Sequence, residues 1–332
     1  MHSLKKGNRP IKANNIDWDL VPQTRLGGWW HFYGPHWHQV YLKREDEVRF
    51  GMTGGKLRKY ASILPWLQTR RIQTVALIGS ANSNQMLSAS MLLRENGILP
   101  VPFLKKGHAE GTNQFLLSLL VPRDEWHLID SAQWPEVEKL AAEFVAACRA
   151  DGNRALYLPE GACVKEALAG AMTLAADIRR NEEEAGEFTD IFIDAGTGLS
   201  AAALLFGMFD LGMKAKLHIT LMADKEEVFL QKFETYRAWY TELFERPLPD
   251  LRDRMVLHRP AFGRSYGSVN AEVIAAIKRF AGMGIFTDPI YSAKHLATAE
   301  KILEEMSHRS IALVIHSGGA QALPGYAHLF QD

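Results

Sequence analysis

Short apolar runs alternate with longer amphipathic stretches along most of the chain. Thr74–Ile78 is an apolar, partly β-branched run that ends at Gly79, and this composition predicts a strand buried on both faces. Gln85–Glu95 carries its apolar residues at helical spacing and stops at Asn96-Gly97, so it predicts a helix. Repetition of this pair predicts βαβ units with right-handed crossovers and a mainly parallel sheet.

The same alternation continues from residue 74 toward the C-terminal end of the sequence. Further runs predict strands at Val101–Leu104, Trp126–Ile129, Ala155–Leu158, Asp190–Ile193, Lys216–Leu221, Arg254–Leu257 and Ile311–Ile315. Further stretches predict helices at Asn113–Leu120, Pro135–Arg149, Ser200–Leu211, Lys225–Phe244, Ser268–Phe280 and Ser292–His308. The expected fold is α/β, with open, mainly parallel sheets and helices on both faces. A charged run at 179–187 predicts either the solvated end of a helix or a surface crossover between two lobes.

The composition narrows the class of protein without indicating a reaction. The 332 residues contain 38 basic and 38 acidic side chains, so no net charge favours nucleic acid or an anionic membrane as a partner. The two cysteines, Cys148 and Cys163, lie in no Cys-x-x-Cys motif, which argues against a disulfide framework. Residues 1–15 lack the apolar core of a secretory signal, and the apolar run Ala201–Met208 is too short to span a bilayer. These features predict a cytoplasmic protein.

Candidate chemistry lies where predicted strands end, because ligands of open α/β sheets bind beyond the carboxyl ends of the strands. Gly196-Thr197-Gly198-Leu199-Ser200 follows one strand and opens an alanine-rich helix. Glycines allow a ligand close to the backbone, and the first N–H groups of a helix favour an anion, so this loop is a candidate phosphate cradle. A tight strand-to-helix turn needs glycine as well, and both interpretations stay open at this point.

Three other segments place polar side chains at comparable positions. Ala81-Asn82-Ser83-Asn84-Gln85 presents amides and a hydroxyl, although Ser83 also suits the N-cap of the following helix. The basic cluster Lys56–Lys59 begins a predicted packed helix, where a cation is unfavourable unless an anion lies near. His316-Ser317-Gly318-Gly319 closes the last strand and is either a ligand loop or a plain turn. The twelve histidines form no H-E-x-x-H motif and no group with cysteine, so we expect no metal site.

A series of short motifs occurs in a fixed order between residues 40 and 325. They are Val40–Asp46, Gly54–Lys59, Ser83–Gln85, Gly196–Ser200, Tyr266-Gly267, Asp288–Tyr291 and His316–Gly319. In sequence and order they resemble the family of 1-aminocyclopropane-1-carboxylate deaminase and D-cysteine desulfhydrase. That family is one of the tryptophan-synthase-β-like enzymes that depend on pyridoxal phosphate.

The resemblance implies pyridoxal 5′-phosphate as the cofactor and a small amino acid as the substrate. It implies a covalent bond of the cofactor to Lys56. It places around the cofactor Lys59, Asn84, Gly196, Thr197, Gly198, Leu199, Ser200 and Ser317. The implied catalytic residues are Lys56, Ser83, Tyr266 and Tyr291. The implied substrate contacts are Ser83, Asn84, Gln85, Tyr266 and Tyr291.

The resemblance also implies a two-lobed architecture with the cofactor in the cleft. Residues 1–56 together with 180–332 would form the large cofactor-binding domain, and residues 57–179 a small inserted domain. A homodimer is expected on the same basis.

The residue that follows the Asp288–Tyr291 motif bears on the reaction. The deaminase pattern has glutamate there, near the ring nitrogen, whereas this chain has Ser292, and Ser317 resembles a threonine of the desulfhydrase pattern. A neutral hydroxyl stabilises the protonated pyridine ring of the cofactor less than a carboxylate does. This favours β-elimination of the D-cysteine type, which gives pyruvate, ammonia and sulfide. Opening of the cyclopropane ring and non-catalytic binding of the cofactor or a phosphate ligand are the alternatives, and a nucleotide-binding enzyme ranks last.

Departures from the family pattern leave the substrate open. Gly55 stands where the family has asparagine, and Leu199 where a glycine is usual. The family's Gly-Gly-Ser-Asn segment is Gly161-Ala162-Cys163-Val164 here. These changes preserve the expected cofactor site and put the known substrates in doubt.

Overall fold

Two separate β-sheets organise the protein, whose computed structural model describes residues 16–29, 37–107, 110–263 and 265–331. The larger sheet has six strands in the order β1-β2-β10-β7-β8-β9. Their bounds are β1 Leu26–Trp29, β2 Gln39–Arg44, β7 Asp190–Ala195, β8 Lys216–Leu221, β9 Met255–His258 and β10 Ile311–His316. Only the pairing of β1 with β2 is antiparallel within this sheet. The carboxyl ends of the other five strands therefore share one edge.

The smaller sheet has four parallel strands in the order β5-β4-β3-β6. Their bounds are β3 Thr74–Gly79, β4 Leu99–Lys105, β5 His127–Ile129 and β6 Ala155–Leu158. All four strands lie within the range 57–179 that the sequence suggests for an inserted domain. The division of the helices between the two predicted domains stays a prediction.

Helices connect the strands and cover both sheets. Their bounds are α1 Gly54–Thr69, α2 Asn84–Glu95, α3 Thr112–Leu120, α4 Val137–Ala150, α5 Ala167–Ala185, α6 Leu199–Asp210, α7 Glu226–Phe244, α8 Ala271–Gly282 and α9 Ser292–Glu305. Short 3₁₀ segments occur at Arg123–Glu125, Trp134–Glu136, Glu160–Ala162, Arg252–Arg254 and Ala320–Phe330. In the parts of the chain that the structure describes, no helix is long and apolar enough to cross a membrane.

The predicted α/β fold with mainly parallel sheets is confirmed. The predicted strands coincide with β3 to β10, with shifts of at most two residues at their ends. The charged run at 179–187 forms the C-terminal turns of α5, as expected for a helix end. Helix α5 and the strands β1 and β2 are not among the elements that the sequence predicts.

The largest hydrophobic cluster includes residues of α5, α6 and the six-stranded sheet, and it extends through α1 and α2 to one face of the four-stranded sheet. Ile191 and Ile193 of β7 belong to this cluster, whereas Phe192 packs on the other face of the sheet with Leu296 of α9. Successive side chains of a strand alternate between its faces. The even-numbered residues of β7 therefore face α9, which bears on the site described next.

Helix α1 is fixed to its neighbours by buried ion pairs. Arg58 makes two hydrogen bonds of 2.7 Å to the carboxylate of Glu45, directly after β2, and a third of 2.7 Å to Asp177 of α5. Lys43 of β2 lies 2.8 Å from the same Asp177 carboxylate. All four side chains are almost fully buried. The first turn of α1 is therefore held between the large sheet and α5.

Candidate active site

Loops from three adjacent strands meet at the carboxyl edge of the large sheet. Strand β10 lies between β2 and β7, so the segments after these strands are neighbours in space. A β-carbon added to Gly55, at the start of α1, would lie 3.8 Å from the hydroxyl oxygen of Ser200 in the loop after β7. A β-carbon added to Gly318, after β10, would lie 3.0 Å from the side chain of Thr53. The segments that carry Lys56, Ser200 and Ser317 thus border one site.

Lys56 lies in the first turn of α1 and is half-buried. Burial lowers the pKa of its amine, while the charges of Asp194 and Cys163 act in the opposite direction. Within the described parts of the chain, its Nζ atom makes no hydrogen bond or ion pair. A neutral lysine amine without a competing partner is suited to covalent bonding with an aldehyde.

The loop Gly196–Ser200 joins β7 to α6 in a conformation that requires glycine. Gly198 has a φ of +87° and is the N-cap of α6, and a β-carbon there would lie 2.9 Å from the ring of Phe229. The carbonyl oxygen of Gly198 accepts the first helical hydrogen bond, from the N–H of Ala202. The preceding N–H groups have no partner inside the helix and can bind an anion.

The five loop residues do not all face the same way. Leu199 is fully buried in the hydrophobic core, so only its backbone can border a ligand. The carbonyl oxygen of Thr197 accepts a hydrogen bond of 2.8 Å from the hydroxyl of Tyr236. The sulfur of Cys163 lies 2.9 Å from the same hydroxyl. These contacts hold the loop against the segment that follows β6.

Lys59 lies one helical turn after Lys56 and is buried. Its Nζ atom donates a hydrogen bond of 2.9 Å to the carbonyl oxygen of Gly161. Burial and the charge of Lys56 lower its pKa to about 7. A β-carbon added to Gly161 would lie 2.7 Å from the side chain of Thr197, so Lys59 is adjacent to the glycine loop.

The polar segment after β3 begins α2. Ser83 is its N-cap, and its hydroxyl oxygen accepts a hydrogen bond of 3.1 Å from the N–H of Gln85. The Asn84 side-chain oxygen accepts hydrogen bonds from the side-chain amides of Asn113 (2.8 Å) and Gln321 (2.9 Å). Gln85 is buried, and its amide nitrogen donates to the hydroxyl of Tyr60 at 3.2 Å. The capping interpretation of Ser83 is thus correct, and its hydroxyl proton stays available for a second partner.

The two predicted catalytic tyrosines form a pair. The hydroxyl oxygens of Tyr266 and Tyr291 are 3.0 Å apart. The Tyr291 ring lies 3.4 Å from where a β-carbon of Gly196 would be, so Tyr291 borders the glycine loop. Burial is the main cause that raises the pKa of both phenols, and that of Tyr291 lies well above 10. Both side chains are therefore protonated near neutral pH.

Asp288 organises the segment that precedes α9. Its carboxylate accepts hydrogen bonds from the N–H groups of Ile290, Tyr291 and Ser292, all between 2.8 and 2.9 Å. The Ser292 hydroxyl donates to the same carboxylate at 2.7 Å. Ser292 is therefore engaged in the turn, whereas the half-buried Ser317 makes no side-chain hydrogen bond in the described structure.

Two titratable residues at this site, the half-buried Asp194 and the buried His295, are not predicted from the sequence. Asp194 is the fifth residue of β7, and His295 is in the first turns of α9. The one sequence signal for Asp194 is an acidic residue near the end of an otherwise apolar strand. Among the residues that the structure describes, no group of three or more His, Cys, Asp or Glu side chains could hold a metal ion.

The residues at this edge fit pyridoxal phosphate. Lys56 offers an amine for the aldehyde, and the glycine loop at the start of α6 offers N–H groups for the phosphate. Gly196 has no β-carbon, which would lie 3.4 Å from the Tyr291 ring, so room is left between this ring and the loop backbone.

Comparisons with known proteins agree with this fit. A protein from Pyrococcus abyssi provisionally named 1-aminocyclopropane-1-carboxylate deaminase is 24% identical over 295 residues, which are 88% of this chain and 87% of that protein. A D-cysteine desulfhydrase from Yersinia pestis is 24% identical over 295 residues, 87% of this chain and 88% of the enzyme. A solved structure described as the ACC deaminase homologue has a TM-score of 0.81 at 20% identity and covers 95% of both chains.

These relatives confirm the resemblance carried by the sequence motifs. A family model described as "Pyridoxal-phosphate dependent enzyme" matches residues 22–318. The chain is a pyridoxal-phosphate-dependent enzyme and belongs to that family.

Proposed function

We propose that the protein is a lyase or deaminase of small amino acids whose main reaction is β-elimination of the D-cysteine type. The products would be pyruvate, ammonia and the leaving group, here sulfide. The observation that carries the proposal is the protonated tyrosine pair at the glycine loop, with a hydroxyl separation of 3.0 Å. The relatives described above include a desulfhydrase and a protein provisionally named as a deaminase, which supports this class of reaction.

Bound pyridoxal phosphate withdraws electrons from the α-carbon of an amino acid attached to it. The amine of Lys56 then takes the proton from that carbon. Burial favours this role because it lowers the pKa of the amine. A larger fraction of the amine is then unprotonated, and able to accept a proton, near neutral pH.

Tyr291 supplies the proton that the leaving group needs. Burial raises the pKa of its phenol, so the hydroxyl keeps its proton and donates it when a thiolate leaves the β-carbon. Tyr266 is 59% exposed and hydrogen-bonded to Tyr291, so it can return a proton from solvent. Breaking the carbon–carbon bond of a cyclopropane calls for a base or nucleophile instead, which a phenol with a raised pKa supplies poorly.

The substrate carboxylate has a matching position at the start of α2. Ser83 caps this helix, and its hydroxyl proton and the positive end of the helix both favour an anion. In the proposal, Ser83 and Asn84 orient the carboxylate, and Gln85 stabilises their segment through its bond to Tyr60. In the proposal, Ser317 would lie beside the pyridine nitrogen of the cofactor and offer it a neutral hydroxyl.

The covalent role of Lys56 is tested by absorbance and borohydride reduction. We expect a band in the near-visible range that reduction fixes onto the peptide containing Lys56. Lys56→Ala should lose the band, whereas Lys294→Ala, at a lysine that donates to the carbonyl oxygen of Gly263, should keep it. A wild-type protein that stays colourless with added pyridoxal phosphate would overturn the cofactor assignment.

The reaction is tested by release of keto acid from a panel of amino acids. We expect the highest kcat/KM with D-cysteine or another β-substituted amino acid. Tyr291→Phe should reduce kcat by about 10²–10⁴-fold, the usual contribution of a proton-transfer group, without loss of the cofactor band. Tyr41→Phe, at a tyrosine of β2 that packs on Phe188, is the matched control.

Two outcomes of the panel would reject the proposed reaction. A much higher kcat/KM for 1-aminocyclopropane-1-carboxylate would establish ring opening as the main activity. A protein that keeps its cofactor band and releases no keto acid from any compound would favour non-catalytic binding.

The domain division and the homodimer are further parts of the proposal. Hydrogen exchange should show residues 57–179 opening together and separately from the rest of the chain if the inserted range folds as a unit. Sedimentation analysis measures the oligomeric state, for which twice the chain mass of 37.3 kDa is expected.

A further inference from the structure

Two aromatic residues of α7 hold the glycine loop from one side. Phe229 and Tyr236 are seven residues apart, so they lie on the same face of the helix. The Phe229 ring lies 2.9 Å from where a β-carbon of Gly198 would be, and the Tyr236 ring lies 3.8 Å from the same point. Both rings are almost fully buried. The Tyr236 hydroxyl also donates a hydrogen bond of 2.8 Å to the carbonyl oxygen of Thr197, so the backbone of the loop is bonded to α7.

This hydrogen bond fixes the direction of an N–H group. The peptide bond between Thr197 and Gly198 is trans, and the C=O and N–H groups of a planar trans peptide point to opposite sides. Because the carbonyl group of Thr197 points at Tyr236, the N–H group of Gly198 points away from α7. Within the described parts of the chain, this N–H group and those of Leu199 and Ser200 make no hydrogen bond. They are the groups that a phosphate at the start of α6 would bind.

The Cys163 thiol is the second partner of the Tyr236 hydroxyl. Its sulfur lies 2.9 Å from the hydroxyl oxygen. Tyr236 has one hydroxyl proton, which the Thr197 carbonyl oxygen accepts, so the thiol must donate the second hydrogen bond. Burial is the main cause that raises the pKa of Tyr236, and the phenol therefore keeps the proton that bonds the loop. The hydrogen bonds run in one direction, from thiol to hydroxyl to carbonyl.

The segment that carries Cys163 has a strained backbone. Gly161 has a φ of +70°, and Ala162, which is not a glycine, has a φ of +48°. Alanine avoids the left-handed region and adopts it only where the surrounding contacts impose it. Here Lys59 donates a hydrogen bond of 2.9 Å to the carbonyl oxygen of Gly161 from one side, and Tyr236 contacts Cys163 from the other. These contacts hold the segment where its thiol reaches the hydroxyl.

We propose that Tyr236 is a positioning residue for the phosphate group of the cofactor and that the Cys163 thiol orients its hydroxyl. Tyr236 bonds the loop and not the phosphate, and it acts by turning the N–H group of Gly198 toward the anion. The inference rests on the proposed role of the glycine loop in phosphate binding. It does not depend on which amino acid is the substrate.

The role of Tyr236 is tested by calorimetric titration of the cofactor-free protein with inorganic phosphate. Tyr236→Phe keeps the ring and removes only the hydroxyl. We expect it to weaken phosphate binding about tenfold, because the donor that it leaves free to turn no longer faces the anion. Tyr240→Phe is the matched control, since it removes a hydroxyl of the same helix that donates to Asp210 at 2.6 Å. It should leave the phosphate affinity unchanged, and equal affinities of Tyr236→Phe and wild type would overturn the proposal.

A comparison of pyridoxal phosphate with pyridoxal separates positioning from a general structural effect. Pyridoxal has no phosphate, so Tyr236→Phe should bind it as wild type does, while pyridoxal phosphate should bind about tenfold more weakly to the variant. Equal weakening for both ligands would make Tyr236 a structural residue only and overturn the proposal. A wild-type protein that binds both ligands equally would reject the loop as the phosphate site, and this inference with it. The keto-acid panel tests the reaction, and its outcome leaves these affinities unaffected.

The role of Cys163 is tested by exchanging its thiol for another donor or for none. Cys163→Ser keeps a donor and should bind pyridoxal phosphate within about twofold of wild type, whereas Cys163→Ala should bind about threefold more weakly. The smaller effect is expected because a thiol is a weak donor. Cys148→Ala, at the other cysteine and within α4, should leave the affinity unchanged. Equal affinities of Cys163→Ala and wild type would reject the role of the thiol.

Discussion

Lys56 and Lys59 show how two lysines one helical turn apart acquire different chemistry. Lys56 has no hydrogen-bond partner in the described structure, whereas Lys59 donates to the carbonyl oxygen of Gly161. Burial lowers the pKa of both amines, and that of Lys59 reaches about 7. Lys59 is therefore charged below pH 7 and progressively neutral above it, beside the glycine loop that we propose binds the phosphate.

This charge change predicts a pH dependence of phosphate binding. As pH rises above 7, Lys59 loses its proton, and the affinity for inorganic phosphate or pyridoxal phosphate should fall by up to about tenfold per unit. Lys59→Arg should bind with little dependence on pH between 7 and 9, because arginine stays charged. Lys59→Met should bind weakly throughout. Fluorescence titration measures the affinity, and equal pH profiles for wild type and Lys59→Arg would contradict the assignment.

Sequence motifs identified the residues whose chemistry is visible in their type and neighbours. Lys56, the glycine loop and the tyrosine of the Asp288–Tyr291 motif were named in advance, and the structure places them at one edge of the large sheet. Asp194 was not identified as a neighbour of Tyr291 and His295, because this proximity depends on the face of β7 that it occupies and on α9, about a hundred residues away. Such a contact has no local signature in the sequence.

At the scale of elements, the close crossing of α1 and α5 fixes the lysine-bearing helix. A β-carbon on Gly170 of α5 would lie 2.2 Å from the carbonyl oxygen of Arg58 and 2.6 Å from the hydroxyl of Ser62. The backbone N–H of Gly170 also donates to that hydroxyl at 3.0 Å. The two helix backbones can therefore approach this closely only with glycine at this position.

Gly170→Ala is expected to destabilise the protein despite the higher helix propensity of alanine. Overpacking costs about 1–3 kcal/mol, and alanine regains at most about 1 kcal/mol of that within a helix. Gly282→Ala, at the last residue of α8 where a β-carbon meets no atom within 4 Å, should be neutral or slightly stabilising. Urea unfolding compares the two, and equal stabilities would contradict the packing argument.

The ion pairs around Arg58 make a second prediction about the same helices. Arg58→Met removes the partner of the Glu45 and Asp177 carboxylates, both buried, and should lower the free energy of unfolding by about 3–5 kcal/mol. Arg25→Met breaks the exposed pair with Glu47 at 2.7 Å and should cost less than about 1 kcal/mol. A similar loss in both variants, measured by urea unfolding, would refute the stabilising role of burial.

There are clear physical reasons why the sequence does not predict helix α5 and strand β1. Helix α5 begins with small residues and ends in a charged run, so its apolar face is weakly marked, although Ala167–Ile178 is mostly buried. Strand β1 contains two glycines and lies at the edge of the sheet, where no alternation of buried and exposed residues identifies it. Strands with continuous apolar runs, such as β3, were located to within one residue.

For the whole molecule, the order of the strands in the sheets could not be predicted from the sequence pattern. Alternating strands and helices predict parallel sheets, but they do not show that β2 and β10 become neighbours. The paired residues Arg44 and His316 are 316 − 44 = 272 positions apart in the sequence. The motif series suggested two lobes only through the family resemblance. The long-range pairing creates the site, because it brings the first turn of α1 beside the loop after β10.

A series of hydrogen-bonded polar side chains links three neighbouring strands of the large sheet, β7, β8 and β9. His218 of β8 is hydrogen-bonded to Asp190 of β7 and to His258 of β9, each at 3.0 Å. Burial, followed by the charges of His218 and His295, lowers the pKa of His258 to about 4. Burial raises the pKa of Asp190, but the hydrogen bonds from His218, Ser310 and Thr189 have the larger effect and lower this pKa to about 2.

The signs of these two shifts predict a stability that falls in two steps as the pH is lowered. The unfolded chain protonates His258 near pH 6.5 but the folded one only near 4, so stability is complete above 6.5 and declines between 6.5 and 4. Asp190 adds a second decline between 3.8 and 2. The first step should amount to about 1–3 kcal/mol, with allowance for the partial exposure of His258. Urea unfolding at pH 8, 5.5 and 4.5 measures it, and His258→Asn should flatten this interval while Asp190→Asn should not. If His258→Asn loses stability over the same interval as wild type, the decline originates elsewhere in the molecule.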